Sequence, residues 1–93
     1  MNIEKLVSKY IASAEHVLGS IQLVEGPLKM STEEIKKTIE YARAYLDDAK
    51  HYRKVQKLDV GLASIVYCEG VLDALKLLGA VKFEWPTNPE KEK

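Results

Sequence analysis

The chain has 93 residues, 46% of them hydrophobic and 30% charged, which specifies one small folded domain: too apolar for disorder, too charged for a membrane protein, too short for two cores. Fourteen Lys and Arg offset fourteen Asp and Glu, so no global field draws in nucleic acid or anionic lipid, and any such binding needs a local patch. The single cysteine, Cys68, excludes an intrachain disulfide framework and a four-thiolate metal site, and fits a reducing, cytoplasmic compartment.

Glu4, Lys5, Lys9 and Glu15 interrupt the apolar positions that a signal peptide keeps continuous. The longest apolar run, Val60 to Cys68, is about half of the ~20 residues of a membrane span, so no membrane association is expected. Ile3, Val7, Tyr10, Ala14, Val17, Ile21 and Val24 alternate steps of four and three, with Leu6, Ile11 and Leu18 on the flank. That pattern predicts a first helix over Ile3 to Val24, with a stripe wide enough to pack against two neighbours.

Glu25-Gly26-Pro27 is a helix stop, since Gly tolerates a helix end and Pro lacks the N–H that continuation needs. Ser31 followed by Glu34 is a capping box, with Met30 and Ile35 placed as a hydrophobic staple. The second helix then carries Ile35, Ile39, Ala42, Leu46 and Ala49 as its core seam, which fails at Arg53 and Gln56. Asp59 is read as the cap of a third helix that runs to Leu78, with Gly79 as its stop. This helix is apolar nearly all round, so it is expected to be buried on several sides. After Gly79 the period changes: Val81, Phe83 and Trp85 alternate with Lys82 and Glu84 as a short extended arm, and Pro86 to Lys93 reads as a disordered tail. The expected fold is therefore all-α: an up-and-down three-helix bundle over residues 1–79, then a C-terminal arm and tail over 80–93.

Catalytic and metal motifs are missing from the sequence: no Gly-rich phosphate loop, no H-E-x-x-H, no Glu-x-x-His pair, and no Cys at ligand spacing. No cofactor or metal is expected, and His16 and His51 read as solvated surface residues. Glu69 and Asp73 share a helix face, with Lys76 placed to neutralise Asp73. Tyr41, Tyr45, Asp48 and Tyr52 form a second stripe on the second helix. With Tyr67 and Asp73 it is either a ligand flank with aromatic walls or a covering of the junction between helices 2 and 3, with Asp48 and Tyr52 hydrogen-bonded across it. Lys50, His51, Arg53, Lys54 and Lys57 make the end of helix 2 basic, as the macrodipole favours, but no second basic cluster extends the patch, so nucleic acid is not an expected partner. Cys68, Val71, Leu75 and Leu78, with Phe83 and Trp85 of the arm, are read as a candidate interface, on the argument that they cannot all face helices 1 and 2.

Tyr45-Leu46-Asp47-Asp48-Ala49-Lys50-His51-Tyr52, then Leu58-Asp59, Ala63, Tyr67-Cys68-Glu69-Gly70-Val71-Leu72-Asp73-Ala74 and Gly79 resemble the archaeal family called domain of unknown function 357. The match covers Ser31 to Gly79, and its recurrent residues fall on Asp48, Tyr52, Asp59, Tyr67, Gly70 and Asp73. The chain departs from the family at Cys68, where a small Ala is usual, and at Lys57-Leu58, where a glycine is usual and whose absence allows helix to continue through the loop. The resemblance implies a three-helix bundle with no established activity. A weaker similarity, to helical domains that accompany nucleotidyltransferases, lacks their Arg-to-His signature, since seven residues separate Arg43 from His51. The expected role is a non-catalytic interaction or adaptor module, homodimeric and with an unidentified protein partner; the alternative is a small-molecule or nucleotide-binding module using the tyrosine and aspartate flank.

Overall fold

Three helices and one pair of short strands make up the computed structural model, which describes residues 2–24 and 30–86. The chain runs α1 (Ile3–Ser20), β1 (Gln22–Leu23), α2 (Thr32–Lys54), α3 (Leu58–Leu77) and β2 (Val81–Lys82). Each helix packs on the other two, with α2 and α3 in the most extensive contact, as expected of an all-α three-helix bundle. The expected stop at Glu25-Gly26-Pro27 and the tail over 87–93 lie outside the described residues.

Asn2 opens α1 by accepting hydrogen bonds from the backbone N–H groups of Glu4 and Lys5, at 2.9 and 3.3 Å. The helix buries Val7, Ile11, Ala14, Val17 and Leu18. It ends earlier than the periodicity predicts. Ile21 turns extended, and Gln22 and Leu23 pair antiparallel with Lys82 and Val81, while the Val24 N–H donates to the Ala80 carbonyl at 3.0 Å. Ile21 and Val24 keep the helical spacing, but β-branched residues serve a strand at least as well, and the arm offers backbone partners that α-helix would forgo.

The start of α2 follows the sequence closely. Ser31 accepts from the Glu34 N–H at 3.1 Å and the Glu34 carboxylate accepts from the Ser31 N–H at 2.9 Å, while Met30 packs against the core cluster to which Ile35 belongs. The buried residues of α2 are Ile35, Ile39, Ala42, Leu46 and Ala49, the whole expected seam.

A three-residue turn, Val55 to Lys57, joins α2 to α3 without a glycine. Gln56 takes φ +63°, a left-handed conformation that costs a side-chain-bearing residue about 1–2 kcal/mol. Its Nε2 offsets part of that by donating to Glu4 Oε2 and to the Arg53 carbonyl, both at 3.2 Å. The turn is tight enough to return the chain to helix at Leu58, so Asp59 is not the cap. Lys57 holds that position with no side-chain hydrogen bond, and Asp59 lies inside the first turn, where its charge suits the helix N-terminus.

The other end of α3 closes with a Schellman motif. Gly79 takes φ +76°, its N–H donates to the Lys76 carbonyl at 3.0 Å, and the Ala80 N–H donates to the Leu75 carbonyl at 2.9 Å. This turn sends the arm back along the bundle, where Ala80, Val81 and Phe83 enter the core with the helical residues.

Candidate functional site

A helix apolar on every side must divide its residues between core and surface, and on α3 the division is clear. Ile65, Cys68, Leu72 and Leu75 are at most 2% exposed, whereas Val66 is 50%, Tyr67 53%, Leu78 65% and Leu77 87% exposed. On the face turned from the core, Val60, Ala63, Tyr67, Gly70, Ala74 and Leu77 alternate steps of three and four, all exposed and none charged. This is the spacing of a heptad seam, facing solvent.

The tyrosines widen that face toward α2. The rings of Tyr45 and Tyr67 lie 4.4 Å apart, and Tyr41 meets Tyr45 edge-to-face at 5.4 Å. The Tyr41 hydroxyl, ahead of burial and of Tyr67 and Asp48, pushes the Tyr45 phenol above its ordinary range. Rings at these separations fill one another's faces and leave no slot for a ligand between them. Asp48 is exposed, and half-buried Tyr52 sets its ring 5.2 Å from His51. Among the described residues no hydrogen bond ties the side chain of Asp48 or Tyr52 to α3, so the expected polar support of the junction is replaced by ring stacking and apolar contact.

Asp73 stands apart from the tyrosines. Its Oδ1 accepts from Trp85 Nε1 at 2.7 Å, which pins the arm to α3. Lys76 does not neutralise Asp73 as its spacing suggests; it reaches Glu84 at 3.8 Å and lies 5.0 Å over the Phe83 ring. Burial, then the charge of Asp73, raises the carboxyl of Glu69 above its ordinary value.

The expected interface is redistributed. Cys68 and Leu75 lie in the core, Phe83 is buried, and Val71 and Trp85 are half-buried against the core, so of the six only Leu78 stands open. Cys68 and Leu75 fall on the buried seam that Gly61, Ile65 and Leu72 share, so the bundle's own core takes them up, and the arm folds back to place Phe83 in that same core. Burial pushes the Cys68 thiol up to about 11, with Glu69 adding to it, so this sulfur stays protonated and unreactive.

Sequence reasoning missed Val60, Ala63, Ala74 and Leu77; the available signal was the charge-free three-four alternation itself. It also missed that α1 brings Lys5 and Lys9 to Arg53, around an open cleft of about 560 Å³ that Glu4, Ser8 and Gln56 complete. Arg53 donates to Ser8 Oγ at 3.4 Å there, and Lys50, further along α2, pairs with Glu15. Among the described residues no group of three His, Cys, Asp or Glu is placed to hold a metal, and no helix is long and apolar enough to cross a membrane.

The family described as protein of unknown function (DUF357) matches residues 9–81 of the chain. Comparison with curated proteins and with solved structures finds no match.

Proposed function

Because the chain belongs to the DUF357 family, whose function is undefined, its role has to be read from its own surface, and we propose that it is a non-catalytic interaction module that binds protein through the outer face of α3. One observation carries this reading: a helix of 20 residues presents a continuous charge-free seam to solvent while its opposite side lies in the core. Exposed apolar area of that extent, edged by aromatic rings, has the composition of an interface centre, where tyrosine contributes large contact area at low entropic cost. The single buried thiol suits a reducing, cytoplasmic setting for such a module.

A photo-cross-linking amino acid placed at Leu77, in the cells that make the protein, tests the reading. Protein adducts are expected from position 77 and not from exposed Lys37 on α2. Equal labelling at both positions, or none, refutes it.

The second reading, a small-molecule or nucleotide-binding module, draws its support from the cleft at Lys5, Lys9 and Arg53 and not from the tyrosine flank. Phosphate is the chemistry three cations would take. A thermal-shift panel separates the two readings, since a nucleotide at a hundred times its dissociation constant adds about 2.7 kcal/mol.

A further inference from the structure

Resting on the interaction reading, we infer that the occupant of the α3 face is a second copy of this chain, its α3 antiparallel to the first, with Tyr67 of each copy seated on Gly70 of the other. Glycine inside a helix weakens it, and such a residue survives where the backbone must bend or another group must come close. Among the described residues neither reason exists within one chain: Gly70 has ordinary helical backbone, and a Cβ added there meets nothing within 4 Å. Gly61 differs, since α2 comes within 3.5 Å of its missing Cβ at the Ala49 carbonyl. Gly70 is therefore a notch in an exposed ridge.

The seam is self-complementary in one orientation. A two-fold axis between Tyr67 and Gly70 pairs Val60 with Leu77, Ala63 with Ala74, and Tyr67 with Gly70, so each contact occurs twice, as isologous symmetry requires. The largest side chain meets the residue without one, and the two alanines let the backbones approach closely. A parallel pairing sets Tyr67 on Tyr67 and leaves the notch empty. No position of the seam is charged, so self-pairing brings no like charges together on it. The area permits it: from the exposures of Val60, Val66, Tyr67, Leu77, Leu78 and neighbouring Tyr41, each copy offers at most about 700 Å², so full coverage by the pair buries up to about 1,400 Å², which reaches the ~1,200–2,000 Å² range of stable interfaces.

Sedimentation and disulfide trapping of the full chain test this. The wild type is expected to run at twice 10.5 kDa at micromolar concentration. Gly70→Tyr should raise the dissociation constant at least tenfold while the dilute protein melts no lower than the wild type, since a helix-interior glycine is removed, and the exchange Tyr67→Gly with Gly70→Tyr should bring association back, because it restores the same pair. Ala63→Cys mixed with Ala74→Cys should form the mixed disulfide, whereas Ala63→Cys alone should not, its own mate lying eleven residues, about 16 Å, along the helix. Buried Cys68 stays out of the reaction. A wild-type mass that stays at 10.5 kDa, or Ala63→Cys linking to itself, overturns the inference. The adduct from Leu77 separates this from the broader reading: a product of any mass other than twice the chain keeps the interaction face and removes the second copy, and no product removes both.

Discussion

Replacing Phe83 with Ala asks whether the arm completes the core. The ring is 7% exposed, meets Trp85 edge-to-face at 5.1 Å, and lies 5.0 Å under the Lys76 ammonium. Phe→Ala in a core costs about 3–5 kcal/mol, of which the transfer of the ring from water is ~1.5–3. Phe83 sits at the edge of the core, beside an open cleft of about 470 Å³, so neighbours can relax into the gap and the lower end applies, about 3 kcal/mol. For a domain of this size that lowers the melting temperature by about 12–24 °C. Urea denaturation followed by helical circular dichroism, at a dilution that keeps the chain monomeric, measures it directly, with exposed Lys82→Ala as the control expected within about 0.5 kcal/mol. A loss below about 1 kcal/mol for Phe83→Ala refutes the reasoning, because a ring held in this seat cannot be removed so cheaply. Ending the chain after Gly79 removes Ala80, Val81 and Phe83 together and should destabilise the bundle further, although the division expected from the sequence places the whole bundle before residue 80.

Other outcomes follow from the same geometry. Asp48→Ala should change stability by no more than about 0.5 kcal/mol in chemical denaturation, since an exposed carboxylate with no bond to α3 leaves nothing unsatisfied behind. Ser31→Ala should cost about 1 kcal/mol of stability at neutral pH through loss of the cap. Hydrogen bonding from the Ser31 backbone and hydroxyl holds Glu34 below its usual 4.5, so its contribution is complete above 4.5 and is lost as pH falls through the lowered value. NMR titration of Glu34 should place its midpoint below 4.5 in the wild type and nearer 4.5 in Ser31→Ala. Cys68 should react with a disulfide reagent far more slowly in the native protein at pH 7 than in urea; equal rates contradict its burial.

How much of this was legible in the sequence differs from helix to helix. On α2 each apolar residue of the seam has charged neighbours on the opposite side, so polarity marks the face, and all five seam residues are buried. On α3 that contrast is missing. Leu75 and Leu77 are both leucine, yet one is 2% and the other 87% exposed: Leu75 continues the buried steps of Ile65, Cys68 and Leu72, whereas Leu77 lies on the opposite face, a phase that residue type does not mark. The arm's destination depends on backbone pairing with β1, which leaves almost no trace in side-chain pattern, and the same pairing explains why Ile21 and Val24 leave the helix whose spacing they continue. The tyrosines were legible as a group, but not their stacking, which depends on how α2 and α3 are rotated against each other.

The two-strand pairing also bears on the order in which the chain assembles. The α2–α3 hairpin closes over a three-residue turn, whereas Gln22 and Lys82 must find each other with all of α2 and α3 between them. Loop closure of that length is the slow, entropically expensive step of a small helical protein. The hairpin is therefore expected to form first, with α1 docking on it and the β1–β2 clasp shutting last. Until then the seat of Phe83 stays open, so a chain that has not closed the clasp presents core surface to its neighbours.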